Sequence, residues 1–365
     1  MASYRVSITT ISAYTAFGHH YCIASCHALV RQRDRKSDHK GFQRRGHIAG
    51  RHGNPRNIFS SQACRNLGGK RWHPVLLFLK TLRQECREAC GGHGYLKSSG
   101  LGDLRNDNDA NCTYEGENNT LIQQASNWLI SLRCKNADFV AVSPLETVSF
   151  LKDMDELLQS KSQEGTPAEA MDVRNLLKAL NWLTAWQLET TVKRVEEQQR
   201  DGKNAFETRN NIQVFYAQKL SIIYGERTIY HVFYKFVSCL HDSVEKKVLE
   251  QLLSFYGAHL ITKYASVFYR GGYFRENSHE LKLYEKGILG LLSDLKDEAI
   301  ALVDAIAPTD FILNSPLGVS DGNVYQHLQR AIVSAPGVFE RPHWWRDVTY
   351  KDYLKGSNLT TVRAT

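Results

Sequence analysis

The chain has 365 residues, of which 42% are hydrophobic and 23% are charged, so it is long enough to bury a hydrophobic core. Its 25 Gly and 8 Pro, without a short repeat, exclude a collagen-like or low-complexity chain. The longest uninterrupted aliphatic or aromatic run is the five residues Val75 to Leu79, whereas a membrane-spanning helix needs roughly 20. The composition therefore predicts a soluble protein without a membrane span.

The formal net charge of +8 is concentrated at the N-terminus. Residues 1–80 contain 14 Lys and Arg against 2 Asp and Glu, whereas the other 285 residues carry a net charge of −4. The basic segment also lacks a sustained helical or strand period, so it offers no face to bury. We predict that residues 1–80 are an unstructured or misassigned basic leader, with a mitochondrial-type transit peptide as the lesser alternative.

Two functional interpretations of this leader are weaker. A basic arm on nucleic acid interleaves Lys and Arg with aromatics, but the only aromatic residue between Arg31 and Asn57 is Phe42, so we predict no nucleic-acid partner. The candidate ligands of a zinc site are His19, His20, Cys22, Cys26 and His27. Their spacing does not match the paired spacing of known structural zinc sites. We therefore predict no metal site.

The eight cysteines include no CxxC pair and are too sparse for a disulfide scaffold, which favours a reducing compartment. Cys86 and Cys90 are four residues apart on a predicted helix and could share a metal. Small buried thiols are the commoner outcome, and we predict that role for both.

The segment Cys90-Gly-Gly-His-Gly-Tyr95 follows that helix and has glycine at three of the four positions after Cys90. Because glycine has no side chain, the backbone N–H groups of such a turn can approach a bulky anion closely. The pattern is also typical of a structural helix stop, and it is not the Rossmann fingerprint, because no strand precedes it. The residues alone leave both interpretations open.

A second candidate site begins at Tyr114-Glu115-Gly116, just before the next predicted helix. Glu115 is a candidate general base, although a carboxylate at this position is more often only a partner of the helix dipole. Neutral amides on the first turns of the helix suit hydrogen bonds to a polar cofactor. These amides are Asn118, Asn119, Gln123 and Gln124.

From about residue 81 onward, the apolar residues follow a helical period. The predicted stripes run from Leu121 to Leu132, from Leu176 to Leu188 and from Ile229 to Leu240. Turn residues predict breaks at Gly165 to Pro167, Asp201 to Asn204, Gly271-Gly272, Pro308 and Asn314 to Gly318. No segment has a strand period, so the sequence predicts an all-α helical bundle. Within it, the aromatic-rich stretch from Phe215 to Phe236 is predicted to be core.

The two motifs, taken in this order, resemble those of a known protein family. QECREACGGHGYLK (84–97) followed by LGDLRNDNDANCTYEGENNTLIQQASNWL (101–129) resembles the C-terminal flavin domain of peroxisomal acyl-CoA oxidases, most closely the branched-chain, pristanoyl-CoA type. Weaker similarity continues through FILNSPLG (311–318) and ERPHWW (340–345). The resemblance implies a bundle like the C-terminal domains of acyl-CoA oxidases and dehydrogenases. Residues 81–145 would be the C-terminal part of the flavin-binding helical domain, and residues 146–365 the C-terminal α-helical domain.

The resemblance implies FAD as cofactor and Glu115 as catalytic base. In the family, this carboxylate removes the α-proton of an acyl-CoA thioester while the β-hydrogen leaves as hydride to the flavin. The product is a trans-2-enoyl-CoA, and O2 then reoxidises the flavin and becomes H2O2. A weakly acidic α-proton requires a base whose pKa is raised in a desolvated site.

The resemblance also assigns binding residues and partners. Gly91, Gly92 and Gly94 match a turn that lies against the adenosine-diphosphate part of a flavin held mainly by the partner subunit, which implies a homodimer. The amides Asn118, Asn119 and Gln123 match a stretch beside the cofactor. The implied substrate is a long-chain or 2-methyl-branched acyl-CoA, in peroxisomal fatty acid β-oxidation.

The sequence departs from the family in two respects. Family members begin with a helical domain and a β-barrel domain, and nothing in this chain reads as either one. The last residues, Val362 to Thr365, are not a peroxisomal import tripeptide. The alternative prediction is therefore a non-catalytic α-helical dimerisation or interaction fragment of such an oxidase.

Overall fold

The computed structural model describes residues 84–110, 113, 117–134, 146–276, 279–305 and 307–345. Every regular element within these ranges is helical, which confirms the all-α prediction for this part of the chain. The basic leader, including its zinc-site candidates, lies outside the described residues. The α-helices are α1 (Leu101–Asp109), α2 (Asn118–Cys134), α3 (Met154–Gln159), α4 (Pro167–Ala170), α5 (Val173–Arg200), α6 (Ala205–Ile212), α7 (Gln218–Ser238), α8 (Val244–Lys263), α9 (Ala265–Arg270), α10 (Glu280–Asp304), α11 (Asp310–Leu313) and α12 (Val324–Val333).

The helix boundaries follow from short-range chemistry. The Asp172 carboxylate accepts the backbone N–H groups of Arg174 at 2.9 Å and Asn175 at 3.2 Å, and so satisfies two free donors at the start of α5. Asn204 and Glu207 form a reciprocal capping box at the start of α6. The predicted breaks are confirmed: four of them fall between two of these helices, and the fifth, Gly165 to Pro167, ends on the first residue of α4.

The main core lies where α5, α7 and α8 pack against one another and α10 packs on α8. The predicted stripe on α5 is buried there through Leu176, Leu180 and Leu183. Trp182 on the same helix stacks on Phe268 of α9, with ring centroids 5.4 Å apart. Burial of this apolar surface is the main source of stability of the bundle.

A second hydrophobic cluster holds α2 beside α5 and α7, through Leu129, Leu188 and Leu220. The buried Ser221 hydroxyl of α7 also donates to the carbonyl oxygen of Ile122 at 2.7 Å. These contacts fix the first turns of α2, where the predicted amides lie.

The aromatic stretch from Phe215 to Phe236 is core only in part. Tyr230 and Phe233 are buried as predicted, but Phe215 is 80% exposed, so its predicted core position is wrong. Phe215 lies in a π-helical turn, Gln213–Ala217, that follows α6. The wider turn inserts one residue into the helical period, so the buried position after Ile212 is Ala217 instead of Phe215 or Tyr216.

Candidate functional site

The glycine turn after Cys90 is a short 3₁₀ helix, Gly91–Tyr95. Gly91 has φ +60°, a conformation that favours glycine, and it ends the helix that contains residues 84–89. A Cβ atom on Gly94 would lie 2.1 Å from the carbonyl oxygen of Arg87, so Gly94 is required by close packing against the preceding helix. Of the two interpretations of this segment, the structural helix stop agrees with this geometry.

Gly91 and Gly92 differ from Gly94 in their surroundings. Both are exposed, and a Cβ atom on either would have no other atom within 4 Å. The backbone at these two positions therefore faces open space, which a bulky anion can approach. The turn combines a buried structural glycine with an open pair that suits a phosphate group.

Arg87 brings a positive charge to this turn. Its Nε donates to the carbonyl oxygen of Gly94 at 3.1 Å, and its guanidinium carbon lies 4.5 Å from the centroid of the Tyr95 ring. The hydrogen bond and the cation–π contact hold the partly buried Arg87 cation against the C-terminal end of the turn, at Gly94 and Tyr95. Arg87 is therefore a cation of the turn that an anion could approach.

Two contacts join the glycine turn to the C-terminal part of the described chain. Ser315 Oγ donates to the carbonyl oxygen of Ser99 at 2.6 Å, and both residues are buried. The ring of Tyr325, on α12, lies edge-on to the ring of His93, with centroids 6.0 Å apart and an interplanar angle of 68°. Residues 315–325 thus form one side of the turn.

The start of α2 is capped by Glu117. Its carboxylate accepts the backbone N–H of Thr120 at 2.9 Å and the side-chain amide of Asn119 at 2.7 Å. Hydrogen bonds from the backbone N–H groups of Asn119 and Thr120 lower the pKa of Glu117 from its usual value. Glu117 is therefore an ionised, exposed capping group, suited to the helix dipole.

The predicted amides occupy different environments. Asn118 is buried, Asn119 is exposed and Gln123 is partly buried. Gln218, the first residue of α7, donates from its side-chain amide to Asn119 Oδ1 at 3.4 Å. Asn119 therefore lies in a small polar surface shared by α2 and α7. Glu115, the predicted base, lies outside the described residues together with Tyr114 and Gly116.

A second group of ionisable side chains is buried on α7. Arg227 donates from Nε to Asn181 Oδ1 at 2.7 Å and from NH1 to the carbonyl oxygen of Thr147 at 2.8 Å, and burial lowers its pKa to about 9. His231 lies one turn further along α7, and burial, then Arg227 and Lys235, lower its pKa to about 4. Arg227 thus fixes Thr147 against α7.

The described residues contain no group of three or more His, Cys, Asp or Glu side chains arranged to hold a metal. None of their helices combines the length and the apolar character that crossing a membrane requires. Cys86 and Cys90 are buried, as predicted, and neither forms a disulfide.

Comparison with known proteins places these motifs in a family. The family described as "Acyl-CoA oxidase, C-alpha1 domain" matches residues 79–130, and the family described as "Acyl-CoA oxidase" matches residues 172–355. Peroxisomal acyl-coenzyme A oxidase 3 of Homo sapiens is 40% identical over 279 residues, which are 75% of this chain and 39% of that protein. The chain belongs to the acyl-CoA oxidase family.

The chain is also similar to a second curated member of the acyl-CoA oxidase family. Acyl-coenzyme A oxidase acox-3 of Caenorhabditis elegans is 38% identical over 264 residues, which are 72% of this chain and 38% of that protein. The chain thus spans about two fifths of the length of these curated relatives.

Solved structures of acyl-CoA oxidases share the fold. The tomato enzyme LeACX1 has a TM-score of 0.74 at 21% identity, covering 95% of this chain and 56% of that one. Acyl-CoA oxidase-2 of Caenorhabditis elegans, bound with FAD, ascaroside-CoA and ATP, has a TM-score of 0.70 at 17% identity, covering 99% of this chain and 57% of that one. At these identities the likeness shows a common fold alone.

The structure of this acyl-CoA oxidase family member adds residues that the sequence analysis missed. Arg87, Gln218, Ser315 and Tyr325 all contact a predicted site or its supporting turn. Arg87 lies within the CREACGGHGY run and Ser315 within FILNSPLG. The motifs that carry the family resemblance therefore already pointed to these two residues. Gln218 and Tyr325 have no local signal, because their contacts depend on the packing of distant helices.

Proposed function

We propose that this chain supplies the C-terminal α-helical region of an FAD-dependent acyl-CoA oxidase, which converts an acyl-CoA and O2 to a trans-2-enoyl-CoA and H2O2. The observation that carries the proposal is the glycine turn within the matched family region, with its open pair Gly91 and Gly92 and with Arg87 hydrogen-bonded to Gly94. The proposal extends to a peroxisomal location, since curated relatives are named peroxisomal oxidases.

The open glycine pair fits a diphosphate. The backbone of Gly91 and Gly92 is accessible, whereas a Cβ atom at either position would keep a phosphate further from the backbone N–H groups. Arg87 supplies a cation at the same turn. We assign Gly91 and Gly92 to direct contact with the adenosine-diphosphate part of FAD, and Gly94 to shaping the turn. Because this contact would be made to a flavin held mainly by a partner subunit, the proposed assembly is a homodimer.

Glu115 is the proposed catalytic base. Its carboxylate would take the α-proton of the thioester, and its backbone N–H would donate to the thioester carbonyl oxygen, where negative charge develops. Bound FAD would supply the acceptor for the β-hydride and the route of the electrons to O2. Asn118, Asn119 and Gln123 would orient polar groups of the cofactor, with Gln218 positioning the Asn119 amide.

The proposed substrate is a long-chain or 2-methyl-branched acyl-CoA. The branched-chain resemblance supports this class, as does the similarity to peroxisomal acyl-coenzyme A oxidase 3. In this role the enzyme would begin peroxisomal fatty acid β-oxidation.

A second candidate function rests on a different observation. The chain spans about two fifths of the length of its curated relatives, and the described residues contain helices without a strand. A non-catalytic α-helical fragment that associates with oxidase subunits would have these properties. Such a fragment would not retain flavin by itself.

Replacing Glu115 tests the proposed base. The purified chain is supplied with FAD and a long-chain acyl-CoA, and H2O2 is followed by a peroxidase-coupled assay. Glu115→Gln should abolish turnover while flavin stays bound, because only the proton acceptor is lost. Glu117→Gln is the matched control, since Glu117 caps α2 and should leave most turnover intact.

The same assay separates the two candidates. Turnover that survives Glu115→Gln would overturn the assignment of the base. A colourless parent chain that releases no peroxide but associates with a full-length oxidase would instead favour the interaction fragment.

A further inference from the structure

Tyr325 presents an aromatic ring beside the glycine turn. It is 63% exposed, although it lies in the first turn of α12 and contacts the ring of His93. His93 stands between Gly92 and Gly94, so the Tyr325 ring contacts the glycine turn through the His93 side chain. An exposed aromatic ring at this place is available to a ligand that approaches Gly91 and Gly92.

The position of Tyr325 is fixed by buried contacts on either side. Val324 and Leu328 anchor α12 in the main core, with exposed fractions of 4% and 5%. The Asp321 carboxylate and His327 Nε2 lie 2.9 Å apart and tie the preceding loop to α12. The helix that carries Tyr325 is therefore anchored, while the Tyr325 side chain itself stays 63% exposed.

The combination matches one class of ligand. An adenosine diphosphate group has a flat heteroaromatic ring and two phosphates. The glycine pair with Arg87 suits the phosphates, and the aromatic ring of Tyr325 suits the base, because bases stack on aromatic side chains. A fatty acyl chain, by contrast, would not require the cation or the exposed glycine backbone.

We propose that Tyr325 is a further binding residue that stacks on the adenine ring of an adenosine diphosphate group whose phosphates lie at Gly91 and Gly92. The inference rests on the proposed function insofar as FAD is the source of that group. Free ADP and ATP carry the same chemistry, so the experiment has separate arms for them. His93 supports the Tyr325 ring from the side of the turn.

The test is a set of titrations of the full 365-residue chain. FAD and FMN are followed by flavin fluorescence, and ADP and ATP by calorimetry. Tyr325→Ala should weaken binding of FAD, ADP and ATP about tenfold, whereas Tyr325→Phe, which keeps the stacking face, should bind like the parent. FMN has no adenine, so its binding should not respond to either change.

Phe215→Ala is the matched control, because Phe215 is another exposed aromatic residue and lies on the π-helical turn. It should leave all four affinities unchanged. Thermal unfolding of each variant verifies that the fold is retained, as expected for a residue as exposed as Tyr325.

The outcomes separate this inference from the proposed function. FAD bound equally by the parent and Tyr325→Ala would overturn the stacking role and leave the flavin proposal standing. Binding of ADP or ATP that depends on Tyr325, without binding of FAD, would support the stacking role and contradict the flavin proposal. Failure of the parent chain to bind FAD, ADP or ATP would overturn both.

Discussion

Ser315 donates a hydrogen bond to the carbonyl oxygen of Ser99 at 2.6 Å, across 216 residues of chain. Both residues are at least 95% buried, so neither group has water as a substitute partner. Ser99 belongs to the segment that follows the glycine turn, and its hydroxyl donates to the carbonyl oxygen of Leu96 at 2.7 Å. This contact makes the geometry of the turn depend on the C-terminal part of the bundle.

Ser315→Ala should lower the free energy of unfolding by about 1 to 2 kcal/mol, because it leaves a buried carbonyl oxygen without its donor. Urea unfolding followed by circular dichroism measures the change. Ser98→Ala is the matched control, since Ser98 is the exposed neighbour of Ser99 and should alter stability by less than about 0.5 kcal/mol. Equal stabilities of the two variants would contradict the structural role of the Ser315 hydroxyl.

The glycines of the turn should respond differently to alanine. Gly94→Ala places a Cβ atom 2.1 Å from the backbone oxygen of Arg87, so the turn must shift and stability should fall by about 2 kcal/mol or more. Gly92→Ala meets no atom within 4 Å and should change stability by less than about 0.5 kcal/mol. Thermal unfolding compares the two variants.

Ligand binding completes the comparison between these glycines. Gly92→Ala should weaken FAD binding in spite of its native stability, because the new methyl group occupies the path of the diphosphate. A stable Gly92→Ala variant with undiminished flavin affinity would remove Gly92 from the proposed binding surface.

His231 should make stability depend on pH. Its folded-state pKa is about 4, against 6.5 for the unperturbed group, so the unfolded chain takes up a proton first as the pH falls. The contribution of neutral His231 to the free energy of unfolding is fully present above pH 6.5 and is lost progressively as the pH falls to about 4. The free energy of unfolding should decrease by on the order of 2 kcal/mol across this interval.

Replacement of the imidazole isolates this effect. His231→Gln removes the titrating group, so the pH dependence of stability between 6.5 and 4 should become shallower. His241→Gln, at an exposed position on the loop after α7, is the control and should reproduce the parent profile. An unchanged slope in the His231→Gln variant would show that other groups cause the acid sensitivity.

Much of the fold follows from local sequence. Helical periods such as Leu176, Leu180 and Leu183 predict the buried face of a helix, because burial of apolar surface selects one face. Turn residues such as Pro308 predict the breaks for equally local reasons. The exposed Phe215 was not predictable in this way, since a π-helical turn shifts the period and its presence depends on tertiary packing.

For the candidate site, the sequence predicts the motifs but not the contacts between them. The glycine run predicts a turn, but the sequence does not show that the three glycines differ. Gly94 packs so closely against Arg87 that a larger residue does not fit, whereas Gly91 and Gly92 face open space. The contacts of Tyr325 with His93 and of Gln218 with Asn119 join distant segments. No local pattern encodes such pairs, because they arise from the packing of whole helices.

We propose that this chain takes part in the flavin chemistry of an acyl-CoA oxidase. The most direct measurement is the visible spectrum of the purified chain with FAD, recorded first without oxygen while a long-chain acyl-CoA is added, and then after air is admitted. We expect a bound flavin that is bleached by the acyl-CoA and recovers its colour in air with release of one equivalent of H2O2. A chain that retains no flavin, or a bound flavin that acyl-CoA does not bleach, would contradict it.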